Sequence, residues 1–329
     1  MADWEGVRQH IVTGKGGTGK TTVAAALALA LAAGGRKVLL VEVEGRQGLA
    51  QLFDVPPLPY EERKLAVAPD GGDVYGLAID VHEAMFEYLE MYYRLGRAGK
   101  ALDRIGAVDF VTTIAPGMRD VLLTGKTYEA VRRRGRDNAY VYDAVVMDAP
   151  PTGRIARFLN VNDEVAGLAR VGPVRRQADS IMAMMRSKTT QVHLVTVLEE
   201  MPVQETIDGI AELRATNLSV GHVIVNLVQA ALLGDDTRDA LTSGALGAKQ
   251  VAAALTSVGL DADAAPALLD QGRAHLERMS LQDAEREALE KTDRRIVELP
   301  AMSEAIDQGA LFELADLLRA DLLDGSAGS

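Results

Sequence analysis

The residues best equipped for chemistry lie near the amino terminus. Gly14-Lys15-Gly16-Gly17-Thr18-Gly19-Lys20-Thr21-Thr22 fills the pattern of a phosphate-binding loop, with Gly14, Gly19, Lys20 and Thr21 at its fixed positions. Such a loop needs glycines so that the main chain can wrap closely around a phosphate. It also needs a helix behind it, so that free N–H groups and the positive end of the helix dipole face the anion. Both flanks agree. His10 to Thr13 ends a short β-prone run, and Thr22 opens the Ala/Leu-rich stretch Val23 to Ala33, a strong helix former. In that setting Lys20 reaches the β- and γ-phosphates and the Thr21 hydroxyl ligates Mg²⁺, so ATP and Mg²⁺ are the expected ligands.

A second candidate follows the apolar run Ala139 to Met147. Asp148 stands at the end of that expected strand and opens the segment Asp148-Ala149-Pro150-Pro151-Thr152-Gly153-Arg154-Ile155-Ala156-Arg157-Phe158-Leu159. An acid at a strand end beside a phosphate loop is placed to hold Mg²⁺, directly or through water. Taken without the loop, Asp148 would serve equally well as a loop cap.

The extra lysine and the Asp148 segment together carry a family resemblance. The loop is similar to the G-K-G-G-x-G-K-T-T variant shared by partition and cell-division-site proteins, nitrogenase iron protein, and the arsenite-pump and tail-anchored-protein-targeting (guided-entry) ATPases. The Asp148 segment resembles the D-[TA]-A-P-T-G-H-x-x-R-x-L signature of the last two, with Pro150 in place of alanine and Arg154 in place of histidine. The resemblance implies that Lys15 crosses a dimer interface to phosphates held by the partner, either a second copy or a paralogous ATPase; otherwise Lys15 is a solvated lysine. It also aligns Glu44, in Val43 to Phe53, with the aspartate that positions or deprotonates the attacking water. Glutamate carries its carboxylate one methylene farther out, which makes ATP binding the firmer expectation and slow hydrolysis its companion. Capping of the local turn is the other role open to Glu44. Three later matches place Glu205 near the nucleotide, Asn226 at the adenine and Pro300 beside the base, while Pro116 to Asp120 resembles the family's P-G-x-x-E.

Composition narrows the class. A formal net charge of −12, from 35 basic and 47 acidic residues, argues against broad nucleic-acid affinity. The chain has no cysteine, which removes disulfides, iron–sulfur clusters, cysteine-held zinc and thiolate capture of arsenite. The five histidines show no metal-ligand spacing. No signal peptide and no integral membrane segment are expected, and a cytoplasmic protein is. The remaining role within the resemblance is a dimeric ATP-driven switch or chaperone handling a hydrophobic or membrane-protein client. Methionines 85, 91, 118, 182, 184 and 185 suit either an adaptable client groove or ordinary core packing. The alternative is a partition or cell-division-site positioning ATPase that binds DNA or membrane. Its expected basic helix is not matched by Leu311 to Leu323, which is amphipathic but acidic.

The elements that must position these residues alternate. Apolar runs at Lys37–Val43, Val74–Asp80, Ala139–Met147, Gln191–Leu198, Gly221–Val228 and Arg295–Leu299 read as strands, with helical patterns between most of them. That alternation predicts an α/β fold with a doubly wound, mainly parallel sheet. Residues 1–324 are expected to form one domain, with an inserted helical subdomain from about 81–136 and 160–190 and a flexible tail at 325–329. Gly234 to Lys291 reads as mostly helix. No internal repeat is present, so a tandem two-lobed arrangement is not expected.

Overall fold

Apolar, β-branched runs set the strands of this protein, and the computed structural model describes residues 6–93, 117–168, 173–302 and 305–324 of it. The strands are β1 (Gln9–Gly14), β2 (Lys37–Glu42), β3 (Arg63–Val67), β4 (Asp73–Ala78), β5 (Ala144–Asp148), β6 (Thr190–Thr196), β7 (Val220–Val228) and β8 (Ile296–Pro300). They form one sheet in the order β3-β4-β2-β5-β1-β6-β7-β8. Only the β3–β4 pair is antiparallel. The helices are α1 (Lys20–Ala32), α2 (Gly48–Leu52), α3 (Val81–Tyr93), α4 (Met118–Arg132), α5 (Thr152–Leu168), α6 (Pro173–Met185), α7 (Glu200–Ala215), α8 (Asp235–Thr242), α9 (Ala248–Ser257), α10 (Ala265–Glu290) and α11 (Gln308–Asp324).

Period-2 alternation sends neighbouring strand residues to opposite cores. Ile11 and Met147 pack with α4, α5, α6 and α7 on one face, while Val12 and Val146 pack with α1 and α11 on the other. Helices on both faces of a mainly parallel sheet make the fold doubly wound, as the alternating pattern predicts. Helix α1 is apolar nearly all round because it is sandwiched between the sheet and α11, and its alanines let both approach closely. The parallel strands present their carboxyl ends on one edge, where ligands of such sheets bind.

Several expectations need adjustment. Strand β3 carries charge at Arg63 and Lys64 and lies at the sheet edge, so its sequence lacks the apolar signature of the central strands. The expected strand over Ala139–Met147 starts late, at Ala144. Asn138 adopts a left-handed φ of 63°, and the Arg134–Tyr140 bridge folds 134–140 into a turn. The long helical region 234–291 is broken at Gly244 and Gly259, both with positive φ, into α8, α9 and α10. Met85, Met182 and Met185 are buried in the core beneath the helices, so these three serve packing rather than an open groove. Met118 and Met184 are half-buried against the same core. The Met91 side chain, Pro116 and the 325–329 tail lie outside the described residues.

Candidate functional site

Gly14 ends β1 where no side chain fits, since a Cβ there would stand 2.2 Å from the Val195 carbonyl oxygen of β6. At the other end of the loop, Gly19 has φ 82° and would press a Cβ to 2.3 Å from Asn226 Nδ2. Between them Gly16 and Gly17 form an exposed crest. The turn is closed by Thr18, whose N–H and hydroxyl both donate to the Lys15 carbonyl, the hydroxyl at 2.9 Å. From the far side, Asn226 Nδ2 donates to the Thr18 carbonyl at 2.9 Å. The amide thus braces the loop with one N–H and keeps its carbonyl and second N–H for another group.

Helix α1 begins at Lys20, which is buried, followed by the half-buried Thr21 and Thr22. The Thr21 hydroxyl donates to Asp148 Oδ2 at 2.7 Å, which brings the two expected metal-holding residues together. Strand register explains the meeting. Asp148 lies beside Val12 of β1 on one flank and beside Glu42 of β2 on the other. Thr13 reinforces it by donating its hydroxyl to the Pro150 carbonyl at 2.7 Å.

Asp148 is 8 % exposed, and its Oδ1 is buried with no hydrogen-bond partner. Burial pushes its pKa up to about 6; the Thr21 hydrogen bond and Lys20 pull it down, and the carboxylates of Glu42 and Glu44 push it up. A carboxyl in that state is short of positive charge, and its unpartnered Oδ1 keeps an unused acceptor. The pair Thr21 and Asp148 therefore fits a hard divalent cation such as Mg²⁺, which takes oxygen donors.

Glu44 lies just past β2, with Arg46 3.6 Å away and its side chain 22 % exposed. The capping role proposed for it belongs instead to Glu42, a residue sequence reasoning passed over. Glu42 is buried and accepts from the Gln47 N–H at 2.5 Å and the Leu49 N–H at 3.1 Å, fixing the start of α2. The signal was an acid closing the apolar run of β2, six residues ahead of the start of α2. Glu205, on the second turn of α7, meets Lys15 at 2.7 Å. Pro300 ends β8 beside Val228, exposed and farther along the same carboxyl edge. Two departures from the motif face one another: Arg154 lies 3.8 Å from Asp120 at the start of α4. Burial raises the Asp120 pKa, and Arg154 opposes that shift.

Residues 7–188, which include the loop, Glu44 and the Asp148 segment, match the anion-transporting ATPase family. This chain belongs to that family. It is similar to the ATPase BagA of Mycobacterium tuberculosis, 53 % identical over 316 residues, which cover 95 % of this chain and 93 % of that one. Similarity to the arsenical pump-driving ATPase of Escherichia coli is 26 % over 268 residues, 75 % of this chain and 44 % of that longer protein. The match to BagA therefore extends past the family segment to the part of the chain that carries Glu205, Asn226 and Pro300.

Proposed function

We propose that this protein is an ATP-hydrolysing dimeric switch that couples closure of two subunits to the handling of a hydrophobic or membrane-protein client. The observation that carries the reading is the division of labour between two lysines of one loop. Lys20 is buried at the first turn of α1, inside its own loop, while Lys15 is part-exposed and ion-paired outside it. A cation directed out of its own loop suits the phosphates of a neighbouring subunit, where it would offset charge that gathers in the transition state. Family membership and the ATPase names of the relatives support the reaction class.

In this reading Gly14 to Thr22 wrap the phosphates, and Thr21 and Asp148 hold Mg²⁺. When bound, that ion neutralises charge on the phosphate oxygens. Glu44 orients the attacking water, Asn226 both braces the loop and meets the base, and Pro300 lines the base. Hydrolysis is slow because Glu44 is longer than the family's aspartate. The partner is a second copy or a paralogue, in a face-to-face arrangement that completes both sites. The client is apolar rather than arsenite bound through thiolates, since the chain has no cysteine. Its handling rests on the family match over 7–188, which spans α3 to α6, not on the buried methionines. A cytoplasmic location fits, and among the described residues no helix is long and apolar enough to cross a membrane. A DNA- or membrane-positioning role finds less support. The basic residue of α11, Arg319, is paired with Asp70 at 2.7 Å, and acids at 313, 316 and 321 surround it.

Lys15→Ala tests the reading. The variant is expected to bind ATP yet fail to form the ATP-dependent dimer and lose turnover. Light scattering with and without a non-hydrolysable analogue, alone and with any co-purifying paralogue, decides it. Dimerisation and turnover at wild-type level would leave an ordinary phosphate-loop ATPase.

A further inference from the structure

Lys15 Nζ and Glu205 Oε1 are 2.7 Å apart, with side chains 29 % and 35 % exposed. The two ends of this pair differ in freedom. Glu205 comes from α7, which is anchored by buried Val203, Thr206, Ile210 and Leu213. Helix α7 is also locked against the start of α5, because Gly209 packs so tightly on Thr152 that a Cβ would lie 2.4 Å from its Cγ2. The main chain that bears the carboxylate is therefore fixed relative to the segment that follows Asp148. Lys15 has the mobile end, a four-carbon stem at the edge of the loop.

While its ammonium sits on Glu205, Lys15 is held within its own subunit. We propose that Glu205 is a positioning residue that stows Lys15 within its own subunit and yields it when two subunits close. The proposal rests on the cross-subunit role of Lys15 given above and adds its regulation. Each closing subunit must break one Lys15–Glu205 pair, and the phosphates compete with a carboxylate for the same cation. The pair sets a threshold, so that closure needs both ligand charge and a partner.

The size of the threshold follows from the exposure of the pair. Half-exposed ion pairs hold by a factor of roughly two to five each. Two pairs break per symmetric dimer, so removing both should tighten the dimer roughly 4- to 25-fold.

The test is the dissociation constant of the dimer by sedimentation, with Mg²⁺ and a non-hydrolysable ATP analogue, using the full chain and any co-purifying paralogue. Glu205→Gln keeps the side-chain size and removes the charge, so it should tighten the dimer by that factor. Glu205→Asp, which keeps the charge, should stay closer to wild type. The gain must vanish when Lys15→Ala is added, and a thermal melt of each variant confirms the fold. A Glu205→Gln dimer that is no tighter, while Lys15→Ala alone abolishes dimerisation, overturns the stowing role and leaves the cross-subunit lysine standing. Weaker dimerisation together with lost ATP affinity overturns it in favour of a direct nucleotide contact. A tightening that persists without Lys15 also overturns it. If Lys15→Ala dimerises like wild type, the cross-subunit reading falls and this proposal falls with it.

Discussion

Two glutamates at the end of β2 sit two positions apart and have opposite surroundings. Glu42 is sealed in and spends its oxygens on two main-chain N–H groups; Glu44 stands in the loop beside the exposed Arg46. Substitutions should separate them. Glu44→Gln is expected to keep ATP binding and lower turnover by roughly 10²-fold or more, read as kcat in a phosphate-release assay. Glu42→Ala should instead leave two N–H groups unpaired and cost about 1.5–3 kcal/mol, read from a denaturant midpoint. Turnover that survives Glu44→Gln would move the water-positioning role to another group, with Asp120 the first to test. The family motif made Glu44 visible in the sequence. For Glu42 the sequence offered only an acid closing an apolar strand, and no residue pattern says which main-chain donors such a carboxylate will find. Glu205 shows the same limit: its motif placed it near the nucleotide, and only the fold places its carboxylate on Lys15.

Strand, turn and helix around the loop were legible because each obeys a strong local rule. An apolar β-prone run, a glycine-rich turn and an Ala/Leu helix leave few alternatives. The central strands were legible for the same reason, and β3 was not, since edge strands tolerate charge and its pairing partner is chosen by tertiary contact. The late start of β5 reflects a turn at Asn138 that the mainly apolar run Ala139–Met147 concealed. Within the loop, glycines that look alike in the sequence differ in what they permit. Gly14→Ala would drive a Cβ to 2.2 Å from the Val195 carbonyl oxygen, main chain that cannot step aside without parting β1 from β6. A loss of about 3 kcal/mol or more, with poor soluble yield, is expected by thermal melt. Gly16→Ala meets nothing within 4 Å and should melt like wild type. Equal melts for the two would mean that the β1–β6 seam is looser than its register implies.

At the scale of the whole molecule, three buried histidines on adjacent strands tie stability to pH. His10 Nδ1 lies 3.1 Å from His193 Nε2, the two rings stack, and His193 Nδ1 accepts the His222 N–H at 3.2 Å. Burial lowers the His10 pKa to about 3, with His222 adding to the shift, and burial likewise holds His193 well below its ordinary value. Both folded values lie under the unfolded value near 6.5, so the unfolded chain binds more protons once the pH falls below 6.5. Their contribution to stability is thus present above 6.5 and declines as acid is added toward the folded values. Between pH 7 and 5 His10 alone should cost roughly 2 kcal/mol, and His193 acts in the same direction. Overall charge pushes the other way. A chain of formal net charge −12 repels itself less as its carboxylates protonate, which favours the compact state on mild acidification. The sign of the change therefore discriminates between the buried ladder and the surface. Urea midpoints at pH 7, 6 and 5 should fall, and His10→Gln should flatten the slope by about one proton. A midpoint that rises toward pH 5, or a slope that His10→Gln leaves intact, would assign the pH response to the surface carboxylates and leave the histidine ladder as neutral packing.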